Sequence, residues 1–162
     1  MSPPGTRHVE VVCTGNICRS PMAEVVLRAK LAAAGIDDVV VSSSAVGSWH
    51  VGGPMDDRAE AALARRGYDG SSHVARQFQD AWFGERDLVL GLDSGHVSVL
   101  ARRAGTSYDV VAPYDADDVS DPYYGDDAEF DAVLDQIEKA ADAWVERLRT
   151  TSRPGRSRPA DR

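Results

Sequence analysis

A cysteine and an arginine separated by five residues stand in the run Cys13-Thr14-Gly15-Asn16-Ile17-Cys18-Arg19-Ser20-Pro21. A loop leading from a strand into a helix can wrap an anion with its backbone N–H groups. Gly15 permits a positive φ there, and Asn16 tolerates one better than most residues. Cys13 opens the loop. A thiolate at that point would face a helix N-terminus and Arg19, both of which favour its charged form. The planar fork of Arg19 suits two oxygens of a tetrahedral anion, and Ser20 adds a further donor. A thiolate beneath a bound phosphate, ringed by donors, is arranged for in-line phosphoryl transfer. The loop lacks the Lys and second Gly of a Walker loop, so ATP and GTP are not the expected ligands. Taken singly, Cys13 reads as a buried strand-end cysteine and Arg19 as a surface cation. Their spacing, with Gly-Asn between and Ser-Pro after, is what reads as a site.

Such a loop needs a strand before it and a helix after it. His8 to Val12 reads as the strand. Pro21 suits a first helical position, with Ser20 as its cap. Met22, Val25, Val26, Ala29, Ala32 and Ala33 then recur at helical spacing up to Gly35. Val39 to Val41 and Leu88 to Leu90 read as strands, and Tyr108 to Ala112 as a fourth. Asp56 can cap a helix through Ala59, Ala62 and Leu63, and Asp93 or Ser94 can start another that Gly105 stops. The final helix carries the stripe Phe130, Val133, Leu134, Ile137, Ala141, Trp144 and Leu148. Alternating strands and helices predict an α/β fold. It is a single-domain, three-layer α/β/α arrangement with a four-stranded parallel, flavodoxin-like sheet and the phosphate loop after strand 1. The domain is expected over 7–149, with disordered tails at 1–6 and 150–162.

The 162 residues fit one domain, and 43% hydrophobic with 27% charged residues can fill a core. Eighteen Lys and Arg against 26 Asp and Glu give a net charge of −8, which argues against nucleic-acid binding. The stretch from Thr150 onward is +3 and the remainder −11. No apolar run approaches a membrane span, and the first residues lack the core of a signal peptide, so a soluble cytoplasmic protein without a membrane partner is expected. Two cysteines and four scattered histidines show no zinc spacing, and no metal or organic cofactor is expected.

The run from Cys13 to Glu24 closely resembles the signature of low-molecular-weight protein tyrosine phosphatases, above all bacterial, actinobacterial-like members. The resemblance extends from about residue 8 to 149. It takes in Trp49 in Ser48-Trp49-His50-Val51-Gly52, Asp56 and Arg58, His73 in His73-Val74-Ala75-Arg76-Gln77, and Asp121-Pro122-Tyr123-Tyr124-Gly125. It implies a cysteine-dependent phosphatase that hydrolyses phosphotyrosine through a phosphocysteine. Cys13 would be the nucleophile and Arg19 the phosphoryl-binding cation. Thr14, Gly15, Asn16, Ile17, Cys18 and Ser20 would complete the phosphate loop.

A phenol has a pKa of about 10, so its departure near neutrality calls for an acid. Asp121 alone reads as a turn aspartate beside a proline. The resemblance places the family's general acid there. It likewise makes Tyr123 and Trp49 the walls of the slot for the substrate ring, with Tyr124 beside them. Ser43 and His73 match a hydrogen-bond network that supports the loop, although His73 taken alone is an ordinary loop histidine. His50 reads as a rim residue and Asp93 as a helix cap. Cys18 is either a packing residue or a resolving thiol that traps oxidised Cys13. Implied partners are phosphotyrosine proteins, among them bacterial tyrosine kinases, with inorganic phosphate and related oxyanions as inhibitors.

Two segments depart from the family pattern. Ser43-Ser44-Ala45-Val46-Gly47 replaces the usual Ser-Ala-Gly-Thr, and the loop Tyr114 to Asp118 is short and lacks an Asp-Pro after its Tyr. Two related chemistries are weighed against phosphotyrosine. Thioredoxin-coupled arsenate reduction needs downstream cysteines, and none follows Cys18. Arginine phosphatases carry Thr where this chain has Ile17, and an apolar Ile favours an aromatic substrate over a guanidinium. A phosphate-binding module without turnover would be marked by loss of Cys13, Arg19 or Asp121, and all three are present.

Overall fold

The computed structural model describes residues 5–151. Four strands, β1 (Arg7–Cys13), β2 (Val39–Ala45), β3 (Leu88–Gly91) and β4 (Val111–Pro113), form one parallel sheet in the order β2-β1-β3-β4. The helices are α1 (Arg19–Ala33), α2 (Asp57–Arg65), α3 (Ser94–Ala104) and α4 (Asp127–Thr150), with 3-10 turns at Asp80–Gly84 and Gly105–Val110. The expected tails fall mostly outside the described residues; where described, α4 runs on through Thr150.

β1 is the hinge of the architecture. Its side chains alternate between the two faces of the sheet, as the period of a strand requires. Val9, Val11 and Cys13 join the larger core, built with Met22, Val26 and Leu27 of α1, Leu63 of α2 and the inner stripe of α4. Val12 joins a smaller core with Phe78, Phe83, Val89 and Leu100. Every residue of the expected α4 stripe is buried. Asp126 caps that helix through the Glu129 N–H, and Arg147 and Arg149 end it, which suits its dipole. Asp56 and Asp93 cap α2 and α3.

Three local expectations are corrected. Tyr108 to Val110 belongs to a 3-10 turn, and β4 starts only at Val111. Gly105, at φ 58°, ends α3, and the chain needs that extra turn to climb back to the sheet edge. In α1 the inward stripe is Met22, Ala23, Val26, Leu27 and Leu31, while Ala29, Ala32 and Ala33 lie outward. Alanine is small enough for either face, so periodicity among alanines fixes no direction. Ser20 does not cap α1. The helix begins at Arg19 with Cys18 at the cap position and no capping side chain, and Pro21 is its third residue.

Candidate active site

β1 ends at Cys13, the sheet's central position, and α1 begins six residues later. Between them the chain turns through Asn16, the only described non-glycine residue with positive φ, at 58°. The left-handed position is thus Asn16 and not Gly15. A Cβ at Gly15 would lie 2.9 Å from the ring of exposed His50, which would have to shift.

Asn16 is fully buried, and all its polar side-chain atoms are engaged. Its Nδ2 donates to Ser20 Oγ at 2.8 Å and to Ser43 Oγ at 2.9 Å, while its Oδ1 accepts from the Arg76 N–H at 2.9 Å. His73 Nε2 donates to the Asn16 carbonyl at 2.7 Å. A buried polar group fully satisfied in this way holds one geometry. Burial also lowers the pKa of His73, against the pull of the Asn16 carbonyl, which favours the neutral ring. The Ser43 hydroxyl donates in turn to Glu24 Oε1 at 2.5 Å.

This network ends on the thiol. Ser20 Oγ lies 3.0 Å from Cys13 Sγ, and the Ser20 N–H points at the same sulfur from 3.4 Å. The Ser20 oxygen accepts from Asn16, and its proton has two acceptors in reach, the sulfur at 3.0 Å and the Ser44 carbonyl at 3.3 Å; the shorter contact, and the charge of a thiolate, favour the sulfur. The residue expected to cap α1 is therefore turned toward Cys13 and the Ser44 carbonyl, and α1 has no capping side chain.

Arg19 is 4% exposed and rigidly held. Its Nη1 donates to Asp93 Oδ2 at 2.8 Å and to the Val119 carbonyl at 2.9 Å. Its Nη2 lies 3.4 Å from Thr14 Oγ1 and 3.8 Å from Asp121 Oδ2. Asp93 is thus more than a cap: it also anchors this arginine. His96, unremarked in the sequence, completes the corner. Its Nε2 lies 2.9 Å from Thr14 Oγ1, and its Nδ1 lies 3.2 Å from the Asp93 N–H. An Asp-x-x-His pattern at the start of a helix, matching a capping box with His in place of Glu, was the signal available.

Cys13, Thr14, Ile17, Cys18, Arg19, Trp49, His50, Asp121, Tyr123 and Tyr124 line one cleft of about 370 Å³. Cys13 is buried at its closed end, and Trp49 and Tyr124 are largely exposed at its mouth. Tyr123 and Tyr124 meet edge to face, with ring centres 4.9 Å apart. Arg58 lies over Tyr123 and donates to the Gly125 carbonyl at 3.0 Å, which ties that loop to α2. Asp121 is half exposed, and its Oδ1 accepts from the Tyr123 N–H at 3.1 Å. Val46 and Gly47, in the segment that departs from the family pattern, donate backbone bonds to the Cys13 and Thr14 carbonyls. Cys18 is buried, and burial and nearby Asp56 push its thiol pKa up. Among the described residues no group of three or more His, Cys, Asp or Glu is placed to hold a metal, and no helix is long and apolar enough to cross a membrane.

Comparison with known proteins places the chain among relatives. The family model for low molecular weight phosphotyrosine protein phosphatases matches residues 8–153. The low molecular weight protein-tyrosine-phosphatase of Streptomyces coelicolor is 45% identical over 156 residues, covering 89% of this chain and 94% of the relative. Among solved structures, Vibrio vulnificus Wzb in complex with benzylphosphonate superposes with a TM-score of 0.81 at 28% identity, over 89% of this chain and all of its own. The Bacillus subtilis protein YwlE, an arginine phosphatase, superposes with a TM-score of 0.83 at 26% identity, over 88% of this chain and 96% of its own. The chain belongs to the low molecular weight phosphotyrosine protein phosphatase family.

Proposed function

We propose that this phosphatase works through a cysteinyl-phosphate, with Cys13 as nucleophile, Arg19 and the loop amides as phosphoryl ligands, and Asp121 as general acid. The observation that carries the reading is the position of Cys13 Sγ. It lies within reach of both the hydroxyl and the N–H of Ser20, at the closed end of a cleft that Asp121 borders. Two donors on one sulfur stabilise its thiolate. Arg19 bridges the two ends of the cleft, because its Nη2 faces both the loop and Asp121.

In the first step the Cys13 thiolate attacks phosphorus. The S–P bond forms as the P–O bond to the phenol breaks, and the proton of Asp121 passes to the departing oxygen. In the second step water attacks phosphorus and gives its proton to the Asp121 carboxylate. The S–P bond then breaks, and inorganic phosphate leaves a regenerated thiolate. Thr14, Gly15, Ile17 and Cys18 supply the loop backbone, while Asn16, Ser20, Ser43 and His73 fix its shape. Trp49, Tyr123 and Tyr124 hold the substrate ring.

The fold does not choose between phosphotyrosine and phosphoarginine, since solved relatives include YwlE. Ile17 does choose. It lines the cleft and packs on the core, and it offers a guanidinium no hydrogen bond. Phosphotyrosine proteins, including bacterial tyrosine kinases, are the substrates this favours, with phosphate and related oxyanions competing for the loop.

Steady-state hydrolysis of para-nitrophenyl phosphate, a phosphotyrosine peptide and phosphoarginine, in chelator, tests the reading. Turnover of both aryl phosphates is expected. Cys13→Ser should abolish it, and Asp121→Ala should lower it by about a hundredfold or more, the range for a lost general acid. Faster turnover of phosphoarginine would overturn the substrate assignment, and full activity in Cys13→Ser would overturn the mechanism.

A further inference from the structure

The backbone of the residue after Cys13 belongs to the loop, but its side chain has a separate set of partners. His96 is 6% exposed, and its Nδ1 faces the Asp93 backbone N–H at 3.2 Å. Nδ1 also lies 3.2 Å from Asp93 Oδ1, but only the backbone N–H is aligned with it for a hydrogen bond, and an N–H can only donate, so Nδ1 accepts. The ring proton therefore sits on Nε2, which donates to Thr14 Oγ1 at 2.9 Å. Burial favours this neutral form by lowering the His96 pKa from its ordinary 6.5. Arg19 Nη2, which can also only donate, approaches the same oxygen at 3.4 Å.

A threonine hydroxyl has two acceptor positions and one proton. Two donors aimed at Thr14 Oγ1 occupy the acceptor positions, and the proton is what remains. Thr14 is exposed and lines the cleft. Its oxygen and Asp121 Oδ2 flank the same nitrogen of Arg19, at 3.4 and 3.8 Å. We infer that Thr14 donates its hydroxyl proton to an oxygen of the bound phosphoryl group, and that His96 is the positioning residue that keeps this hydroxyl a donor. The inference rests on the phosphocysteine reading and adds to it a side-chain ligand beyond Arg19.

His96 also caps α3, so a loss of activity on its removal must be separated from a loss of the cap. Asn at position 96 places its amide oxygen near the position of Nδ1 and keeps the bond to the Asp93 N–H, but it does not reach Thr14. Ala keeps neither. The test measures kcat, KM and vanadate inhibition on para-nitrophenyl phosphate, with thermal midpoints, for wild type, Thr14→Val, Thr14→Ser, His96→Asn, His96→Ala and Thr14→Val/His96→Asn. Cys13→Ser is run beside them.

Thr14→Val should lower kcat/KM about tenfold, the scale of one hydrogen bond to a charged group, and weaken vanadate inhibition. Thr14→Ser, which keeps the hydroxyl, should stay within about threefold of wild type. His96→Asn and His96→Ala should lose activity equally while only His96→Ala loses stability. The double variant should be no worse than Thr14→Val alone. If wild type turns over and Cys13→Ser does not, yet Thr14→Val matches wild type in kcat/KM and vanadate inhibition, the Thr14 contact is wrong while the nucleophile assignment stands. Multiplying losses in the double variant would overturn the role of His96. Absence of turnover in wild type would instead strike the parent reading. Thr14→Val and Thr14→Ser alter a cleft-lining side chain, so they decide the contact even if a His96 variant fails to fold.

Discussion

At the scale of single residues, Asn16 concentrates the most consequence. Its backbone sits in the left-handed region, and its amide joins β2, α1 and the segment at Arg76. Asn16→Ala would strand the Arg76 N–H and keep an unfavourable φ, so we expect it to cost about 2–4 kcal/mol of stability. Asn16→Gly strands the same groups but relieves φ. Denaturant melts should therefore rank wild type above Gly and Gly above Ala. Equal midpoints for wild type and Ala would show that the network carries no stability. The sequence made this residue legible in part, because Asn is one of the few types tolerated at positive φ. What it could not show was that Ser20, a good capping residue, is diverted to the Cys13 sulfur. Capping preferences are local, and that diversion is a tertiary effect. Glu10 illustrates the same limit. It stands in an apolar strand, yet it is fully buried and held by Arg86 Nε at 2.9 Å and Ser42 Oγ at 2.6 Å. Both partners are distant in sequence, so periodicity alone says nothing of them.

At the scale of elements, the loop carrying Asp121 is placed from both ends. At its start Tyr114 is buried, its hydroxyl donates to the Ile137 carbonyl at 2.8 Å, and Trp144 Nε1 donates to the Tyr114 carbonyl at 2.6 Å. Farther on, the Val119 N–H donates to the Leu92 carbonyl, and Gln136 reaches Asp115 Oδ2 at 2.9 Å. α4 is thus the splint for the short loop between Tyr114 and Asp121. The strong apolar stripe made α4 readable, and the strand–helix alternation made the sheet readable. The loop was not, because most of these anchors end on backbone carbonyl groups that every residue type shares. Trp144→Phe keeps most of the ring and removes one buried donor. It should cost about 1–3 kcal/mol in urea melts, the penalty of an unsatisfied buried group. It should also lower kcat on para-nitrophenyl phosphate, because Asp121 loses a support. Unchanged stability would mean that the Tyr114 carbonyl finds another donor.

At the scale of the whole molecule, the histidines set how the fold answers to acid. Burial lowers the pKa of His8 on β1, of His73 behind the loop and of His96 on α3. Arg86 beside His8 pushes its pKa the same way, while Glu10 and Asp87 oppose, and Asp93 opposes at His96. In the unfolded chain each ring takes up its proton near 6.5, and in the folded chain each does so only at lower pH. Below 6.5 the unfolded state therefore binds more protons, and stability falls as pH falls, until the folded-state values are passed and the loss is complete. Asp56 and Asp93 are held below their ordinary 3.8, by bonds to Arg58 for the first and to the His96 N–H and Arg19 for the second. Their contribution is full above that value and is lost only on further acidification. Thermal midpoints should be flat from pH 8 to 7, decline as pH falls below about 6.5 through the histidines, and fall further below about pH 4 through the aspartates. His96→Asn removes one of the three rings while keeping its cap, so its decline below about pH 6.5 should be shallower than that of wild type. An unchanged slope in that variant would mean that His96 is protonated as readily in the folded chain as in the unfolded one.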